Sequence, residues 1–178
     1  MIKDMVKLIP EIGLIKEANL RDLTRKVWEE AMERGGWTPE DLEKMPFTLL
    51  IKKTEVNIIE HTRAVTLAAL KIAEVLIQEY QERIAINMDY LLSGAILHDV
   101  GKLFEYKREK GIFVKSREGD LLRHPISGAA FAFKHGLPED VLHIIAAHSK
   151  EGDGSRRTIE AIIVNHADFV NFDVFKES

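Results

Sequence analysis

Apolar residues recur at helical spacing along most of the chain. The stretch 19–34 places Leu20, Val27 and Ala31 on one side, the 3.6-residue period of an amphipathic helix, and a Gly-Gly pair follows it as a stop signal. A short helix is predicted after Thr38, a typical N-cap residue. Longer helices are predicted at about 54–80, 88–99, 125–135, 138–148 and 158–172. The pattern therefore predicts an all-α, single-domain helical bundle.

One region departs from the helical period. Between residues 104 and 122, two apolar and aromatic clusters, Phe104-Glu105-Tyr106 and Ile112-Phe113-Val114, flank the pair Lys110-Gly111. Apolar runs on either side of a central glycine are typical of a small hairpin or ordered loop. The first 50 residues carry no motif that we recognise, and we expect them to form an N-terminal helical extension packed on the core.

The composition limits the metal ligands and partners that this chain can have, and it says less about the fold. The 178 residues are enough for one domain, and the absence of cysteine excludes disulfides and thiolate metal ligands. Any bound metal must therefore use histidine and carboxylate ligands. The formal charge of -4 comes from 25 basic and 29 acidic residues, and no basic stripe interleaved with aromatics appears. We therefore expect no binding of long nucleic acids.

The chain also lacks the sequence features of membrane targeting. Its first residues, Met1-Ile2-Lys3-Asp4, do not open a signal-peptide pattern. No apolar run approaches the roughly 20 residues that a membrane span needs. We expect a soluble, cytoplasmic protein with no membrane partner, and the sequence leaves its oligomeric state open.

Several ligand-type side chains fall on the apolar faces of predicted helices. His61 shares a face with Ile58 and Val65, and His98 follows Leu91 and Ala95 with Asp99 beside it. In the same way His148 continues Val141, Ile144 and Ile145, and Asp168 continues Ala161 and Val164. Burying an unpaired carboxylate is costly, and one divalent cation would offset that cost for all of these groups. Imidazole and carboxylate are ligands of Zn, Fe, Ni and Mn sites.

Each of these residues also has a structural interpretation. A single buried histidine is more often a hydrogen-bonded core residue than a ligand, and an aspartate at a helix end is usually a turn former. We interpret the remaining histidines as structural. His135 suits the C-terminus of its helix, His143 a solvent-facing pair with Glu139, and His166 carries no distinguishing signal.

The run Leu97-His98-Asp99-Val100-Gly101-Lys102 resembles the signature of the HD-domain superfamily of metal-dependent phosphohydrolases. In that family a histidine precedes an adjacent His-Asp pair and a distant aspartate follows, which here would be His61, His98-Asp99 and Asp168. Branches with two additional histidines are matched by His124, in an Arg-His-Pro segment, and by His148. The resemblance covers about residues 55–172 and implies that residues 51–178 form an HD-type metal-binding domain.

The resemblance implies a function and a set of roles. His61, His98, Asp99 and Asp168 would surround one metal ion, and Asp99 could bridge to a second ion held by His124 and His148. One or two divalent ions (Mn, Fe, Co, Ni, Zn or Mg) would activate water, and the resulting hydroxide would attack phosphorus. The expected substrate is a small phosphorylated molecule, with a nucleotide favoured.

Three basic residues near these motifs are candidates for binding the phosphate group. Lys102 follows the His-Asp pair by three residues and would be the catalytic cation; its other interpretation is an ordinary lysine at a helix end. Arg123 and Lys150 flank the ligand histidines and could bind phosphate or simply be solvated surface charges.

Two other functions share this ligand order. HD-fold di-iron oxygenases use the same six ligands, and ligands alone do not separate oxygenation from hydrolysis. A non-catalytic regulatory module is the third interpretation, but such a protein is expected to have lost one or more ligands. We favour the hydrolase.

Overall fold

Helices dominate the computed structural model, which describes residues 5–51 and 54–177 of the chain. The α-helices are α1 (Met5–Leu8), α2 (Ala18–Gly35), α3 (Pro39–Leu42), α4 (Ile58–Tyr80), α5 (Met88–Leu97), α6 (Lys102–Glu105), α7 (Arg117–Leu121), α8 (His124–Lys134), α9 (Glu139–Ala147) and α10 (Ile159–Lys176). Short 3-10 turns at Pro10–Leu14, Gln81–Arg83 and Lys150–Gly152 complete the helical structure of these residues. The predicted all-α fold is confirmed.

The centre of the bundle is α5. All of its residues from Leu91 to Leu97 are buried, which is the pattern of a helix enclosed on every side. It packs against α4, α9, α10 and α2. Because α5 ends in the middle of the molecule, the residues that follow Leu97 emerge in the interior, between the other helices.

The N-terminal helices cover one side of α5. Thr24 and Ser93 share a hydrogen bond of 2.7 Å between their buried hydroxyls, and the Trp28 indole donates to the carbonyl oxygen of Ile96 at 2.9 Å. Trp37 donates in the same way to Leu103 at 2.8 Å. The apolar side chains of residues 5–45 join those of α5, α6, α8 and α9 in one hydrophobic cluster.

The sheet of the described residues is a two-stranded hairpin. Strands β1 (Tyr106–Glu109) and β2 (Ile112–Lys115) pair antiparallel, and Lys110-Gly111 connects them. This is the hairpin predicted for residues 104–122. Its first residue, Tyr106, is buried, whereas the rest of β1 is exposed.

Two helix boundaries differ from the prediction by four residues, and the others by two at most. The helix expected from about residue 54 begins at Ile58, because Asn57 caps it and Glu60 closes a reciprocal capping box with the Asn57 backbone. The last helix continues past Phe172 to Lys176, since no breaker follows and a basic residue occupies its last turn.

None of the helices in the described residues combines the length and the hydropathy that a bilayer crossing requires. Residues 1–4, on which the prediction about a leader sequence rests, lie outside the described residues.

Candidate metal centre

The first candidate ligand, His61, lies one turn into α4. The capping box at Asn57 sets the start of this helix, so the fourth residue turns toward the core beside Ile58 and Val65. The imidazole is buried. The Phe47 ring stacks on it with a centroid separation of 4.5 Å, which restricts its rotation.

The pair His98-Asp99 follows the last residue of α5. His98 is the C-cap of that helix, and Asp99 leads through a turn into α6; both side chains are fully buried. Gly101 allows this turn to lie against the start of α8, because a Cβ atom there would come within 2.1 Å of the His124 carbonyl oxygen. A larger residue at position 101 would therefore push the two segments apart.

The remaining candidates come from three other helices. His124 is the first residue of α8, His148 is the C-cap of α9, and Asp168 lies on the inner side of α10. Both histidines are buried, and the Asp168 side chain is 16% exposed at the edge of a cavity. The structure thus brings the other five predicted ligand residues together around Asp99.

One group of ligand atoms surrounds Oδ2 of Asp99. His61 Nε2 lies 3.4 Å from Asp99 Oδ2 and 3.0 Å from Asp168 Oδ1. His98 Nε2 lies 3.3 Å from Asp99 Oδ2 and 3.4 Å from His61 Nε2. Ligands of one transition-metal ion, each about 2.1 Å from it, are separated by similar distances, roughly 3 Å. We call these residues the first group.

A second group faces the other oxygen of the same carboxylate. His124 Nε2 lies 3.2 Å and His148 Nε2 3.7 Å from Asp99 Oδ1, and the two nitrogens are 3.3 Å apart. Asp99 Oδ1 is buried, and no hydrogen-bond donor in the described part of the chain reaches it. A buried carboxylate oxygen without a donor is costly unless a cation compensates it.

The contacts made by the Nδ1 atoms of these histidines determine whether each Nε2 atom has a lone pair for a metal ion. Nδ1 of His98 contacts the Ala95 carbonyl oxygen at 2.6 Å, and Nδ1 of His148 contacts the Ile145 carbonyl oxygen at 2.7 Å. A carbonyl oxygen only accepts, so Nδ1 carries the hydrogen and Nε2 of the neutral ring holds a lone pair. The lone pairs and carboxylate oxygens then face one another, an arrangement that a cation satisfies. The donor set fits a divalent metal.

The charges of His148 and Asp168 agree with this arrangement, whereas His98 differs: burial by itself lowers its pKa, but Asp99 and Asp168 together raise it above the usual value. Burial lowers the pKa of His148 to about 3, assisted by the neighbouring His98 and His124, so its ring is neutral near pH 7. Burial by itself raises the pKa of Asp168, but the hydrogen bond with His61 and the nearby His98 and His148 together outweigh it and hold the pKa at about 2. The centre therefore combines a neutral imidazole with an ionised carboxylate, as metal ligands require.

Lys102 is tied to the centre rather than free in the cavity. Its Nζ donates to Asp99 Oδ2 at 2.6 Å and to the Phe47 carbonyl oxygen at 2.6 Å. Burial by itself lowers the pKa of Lys102, but the Asp99 carboxylate, with Tyr106 and Asp168, outweighs it and raises the pKa above its usual value. Burial by itself raises the pKa of Asp99, but Lys102, with His98 and His124, holds it well below the usual range.

A cavity of about 250 Å³ opens beside the first group. His61, Lys102, His124 and Asp168 reach it from the metal centre, and Arg123 and Lys150 line it as well. Lys150 is exposed. Arg123 is engaged in ion pairs, donating to Glu105 Oε1 at 2.9 Å and to Glu151 Oε1 at 3.0 Å.

Sequence reasoning missed two residues at this site. Phe47 covers His61 and accepts from Lys102, yet it lies in an irregular segment without periodicity, so no sequence signal identifies it. Glu105 accepts from His124 Nδ1 at 2.8 Å. The sequence pattern assigns Glu105 to the hairpin region, and the usable signal is its position six residues after the predicted ligand Asp99.

The other histidines lie outside the centre. His135 is the C-cap of α8, as predicted, and its Nε2 also contacts Glu30 Oε2 at 2.8 Å. The predicted surface pair of His143 with Glu139 is wrong. His143 Nε2 instead accepts a hydrogen bond of 3.2 Å from the Thr158 backbone, because α9 packs beside the start of α10.

The sequence pattern of the HD domain matches residues 58–171, which is more than half of the chain. The chain belongs to the HD domain family. All six candidate ligands, from His61 to Asp168, lie within the matched residues. The resemblance that the His-Asp motif suggested is therefore confirmed.

Curated relatives of this HD-family chain include two kinds of enzyme. It is 36% identical over 115 residues to dihydroneopterin 2',3'-cyclic phosphate phosphodiesterase of Methanocaldococcus jannaschii, covering 64% of this chain and 45% of the relative. It is 34% identical over 86 residues to ribonuclease Y of Acidothermus cellulolyticus, covering 48% of this chain and 15% of the relative. Ribonuclease Y of Thermosipho melanesiensis is 24% identical over 155 residues, or 85% of this chain and 26% of that relative.

The HD-family chain thus spans less than half the length of each of these relatives. No solved structure matches it significantly. The cavity wall formed by residues 47–50 precedes the matched HD region, so part of the site comes from outside the family pattern.

Proposed function

We propose that this HD-family protein is a metal-dependent phosphohydrolase that acts on a small phosphorylated molecule, with a nucleotide or similar heterocyclic phosphate as the favoured class. The carrying observation is the Asp99 carboxylate, which turns one oxygen toward each of two groups of histidines. In this proposal His61, His98, Asp99 and Asp168 hold one divalent cation, and Asp99, His124 and His148 hold another. Mn, Fe, Co, Ni, Zn and Mg are the candidate ions.

The chemistry of a phosphohydrolase needs an activated water and stabilised phosphoryl charge. Divalent cations, when bound, lower the pKa of water and act as Lewis acids on phosphoryl oxygens. The residues of the chain position these functions. Asp99 fixes the spacing of the two groups, and its ion pair with Lys102, together with His98 and His124, lowers its pKa against the effect of burial. Lys102 also lines the cavity, so its ammonium adds positive charge next to a bound phosphate.

The cavity supports a small substrate. Cations line it, including Lys115 and Lys150, which suit phosphate oxygens. Aromatic and aliphatic residues line it as well: Phe47, Leu49, Leu50, Phe169 and Phe172. A phosphoester that also carries a planar apolar group could bury that group against the apolar residues while its phosphate meets the cations.

The relatives support hydrolysis of phosphodiesters, but the substrates in their names differ in size. The phosphodiesterase is named for a cyclic phosphate of a small heterocycle, and ribonuclease Y is named for RNA. The net charge of -4 and the small cavity of about 250 Å³ favour the smaller class for this chain.

The test is a substrate screen on protein of defined metal content. Chelated protein is reloaded separately with Mn, Fe, Co, Ni, Zn or Mg and supplied with phosphomonoesters, linear phosphodiesters, cyclic nucleotides and a long oligonucleotide. We expect metal-dependent hydrolysis of small phosphoesters, and loss of it in His61→Ala. The matched control is His143→Ala, which changes a histidine outside the centre and should keep full activity.

Three outcomes would contradict the proposal. Hydrolysis that persists after verified metal removal would exclude the metal mechanism. Oxygen uptake with a mixed-valent iron signal would identify the oxygenase alternative. Metal and ligand binding without turnover of any phosphoester would favour the regulatory module.

A further inference from the structure

One buried carboxylate lies behind the second group of ligands. Glu105, the last residue of α6, is 4% exposed. Its Oε2 accepts two hydrogen bonds from the same residue, one from the backbone N–H of His124 at 2.7 Å and one from His124 Nδ1 at 2.8 Å. The His124 ring is therefore fixed at both its backbone and its side chain by one oxygen atom.

Glu105 is itself held in place. The Ser116 backbone N–H donates to the Glu105 carbonyl oxygen at 2.8 Å, and Arg123 donates to its Oε1 at 2.9 Å. Helix α7 packs directly against it at Gly119, where a Cβ atom would come within 2.7 Å of Glu105 Cγ. Because Arg123 and His124 both donate to its carboxyl oxygens, Glu105 is the acceptor in each of these side-chain contacts.

This arrangement distinguishes His124 from the other ligand histidines. His98 and His148 donate from Nδ1 to neutral backbone carbonyls. His124 donates to a full negative charge, which fixes its tautomer and makes Nε2 a stronger electron-pair donor. Arg123 offsets part of that charge on the far oxygen, so the Oε2 side remains the acceptor for His124.

We propose that Glu105 is a positioning residue for His124, holding its ring with hydrogen on Nδ1 so that Nε2 is presented to a cation of the second group. The inference rests on the proposed metal centre. It assigns to Glu105 a role that Glu151, the other carboxylate on Arg123, does not share: Glu151 accepts from Arg123 at 3.0 Å, and no hydrogen bond among the described residues joins it to His124.

Glu105 accepts from the backbone N–H of His124 as well as from its ring, and the backbone contact has a structural role of its own. His124 opens α8, and Arg123 before it makes no side-chain capping hydrogen bond. The first N–H groups of a helix have no partner within the helix. By accepting the His124 N–H, Glu105 supplies that partner and aligns the helix start with the metal centre.

The test measures Co²⁺ binding by titration calorimetry and visible absorption on the full chain. The variants are Glu105→Gln, which keeps the shape and removes the charge, and the matched control Glu151→Gln. For the wild type we expect two equivalents of Co²⁺ per chain. In Glu105→Gln the affinity for the second equivalent should fall about 10- to 100-fold with the first unchanged. Glu151→Gln should bind like the wild type.

The outcomes separate this inference from the proposed function. A wild type that binds no Co²⁺ overturns the metal centre and the inference together. Two equivalents bound equally well by wild type and Glu105→Gln overturn the role of Glu105 alone. If Glu105→Gln does not fold, ¹⁵N NMR of the wild type decides: hydrogen on His124 Nδ1 in the loaded protein supports the inference, and hydrogen on Nε2 overturns it.

Discussion

The two groups of the candidate metal centre share Asp99, but the negative charge of its carboxylate is compensated differently on the two sides. On the Oδ2 side the chain supplies its own cation, since Lys102 donates to that oxygen at 2.6 Å. On the Oδ1 side no donor among the described residues reaches the oxygen, and only the imidazoles of His124 and His148 face it. The first group also borders the cavity through Asp168, which is partly exposed.

The difference shows which part of the centre depends on an added cation. A buried carboxylate is tolerated where a lysine compensates it and is costly where nothing does. A bound cation would therefore stabilise the Oδ1 side more than the Oδ2 side. Changes to the shared residue should affect both groups, whereas changes to the histidines should affect one group each.

The largest effect is expected from Asp99→Asn, which removes the charge that joins the two groups. Hydrolysis should fall by at least on the order of 10³-fold, because a single preorganised electrostatic group is commonly worth 10²–10³ and Asp99 serves both cations. Metal per chain, measured by elemental analysis, should fall in both groups. Activity of a metal-loaded Asp99→Asn protein at the wild-type level would refute the assignment.

Asp99→Asn leaves Lys102 buried without its carboxylate, which can destabilise the fold by itself. The double variant Asp99→Asn with Lys102→Met removes both charges and keeps the volumes similar. It should fold, as judged by circular dichroism, and remain inactive. Lys102→Met alone keeps the metal-binding carboxylate and should retain bound metal.

The next prediction separates the two groups. His124→Ala combined with His148→Ala should halve the metal per chain and sharply lower turnover, because one of two cations is lost. His61→Ala should weaken the first group instead. Elemental analysis with circular dichroism as the folding control distinguishes these results. An unchanged metal count in the folded double variant would leave a one-metal hydrolase and remove the second group.

The smallest effect concerns acid stability of the metal-free protein. The folded pKa of Asp168 is about 2, below its usual 3.8, so its stabilising contribution is complete above pH 4 and is lost as the pH falls toward 2. The shift corresponds to about 2 kcal/mol. Asp168→Asn should therefore be less stable by about that amount at pH 7 and should lose less stability between pH 4 and 2.

Urea unfolding at several pH values measures this free energy of unfolding. Asp173→Asn is the matched control, since it changes an exposed aspartate on the same helix. If the two variants show the same dependence on pH, the ionised Asp168 does not stabilise the folded protein.

The parts of the site that could be predicted from the sequence are those that depend on short-range patterns along the chain. The inward spacing of His61 on its helix and the adjacent His98-Asp99 pair before Gly101 were readable as patterns, and the structure brings these side chains to within 3.4 Å of one another. The hairpin around Lys110-Gly111 was equally local. Helix ends were less accurate, because capping by Asn57 depends on side-chain geometry that periodicity does not describe.

By itself, then, the sequence determined the helical class, the family and the six ligand-type residues, because periodicity and motif spacing act over one or two turns of a helix. Only the tertiary structure decided how their charges are balanced. Phe47 reaches Lys102 and Glu105 reaches His124 across 55 and 19 residues of chain. Such contacts depend on how the helices pack. No short-range pattern specifies that Asp99 pairs with Lys102, that Glu105 pairs with His124, or that Asp99 Oδ1 remains without a donor among the described residues.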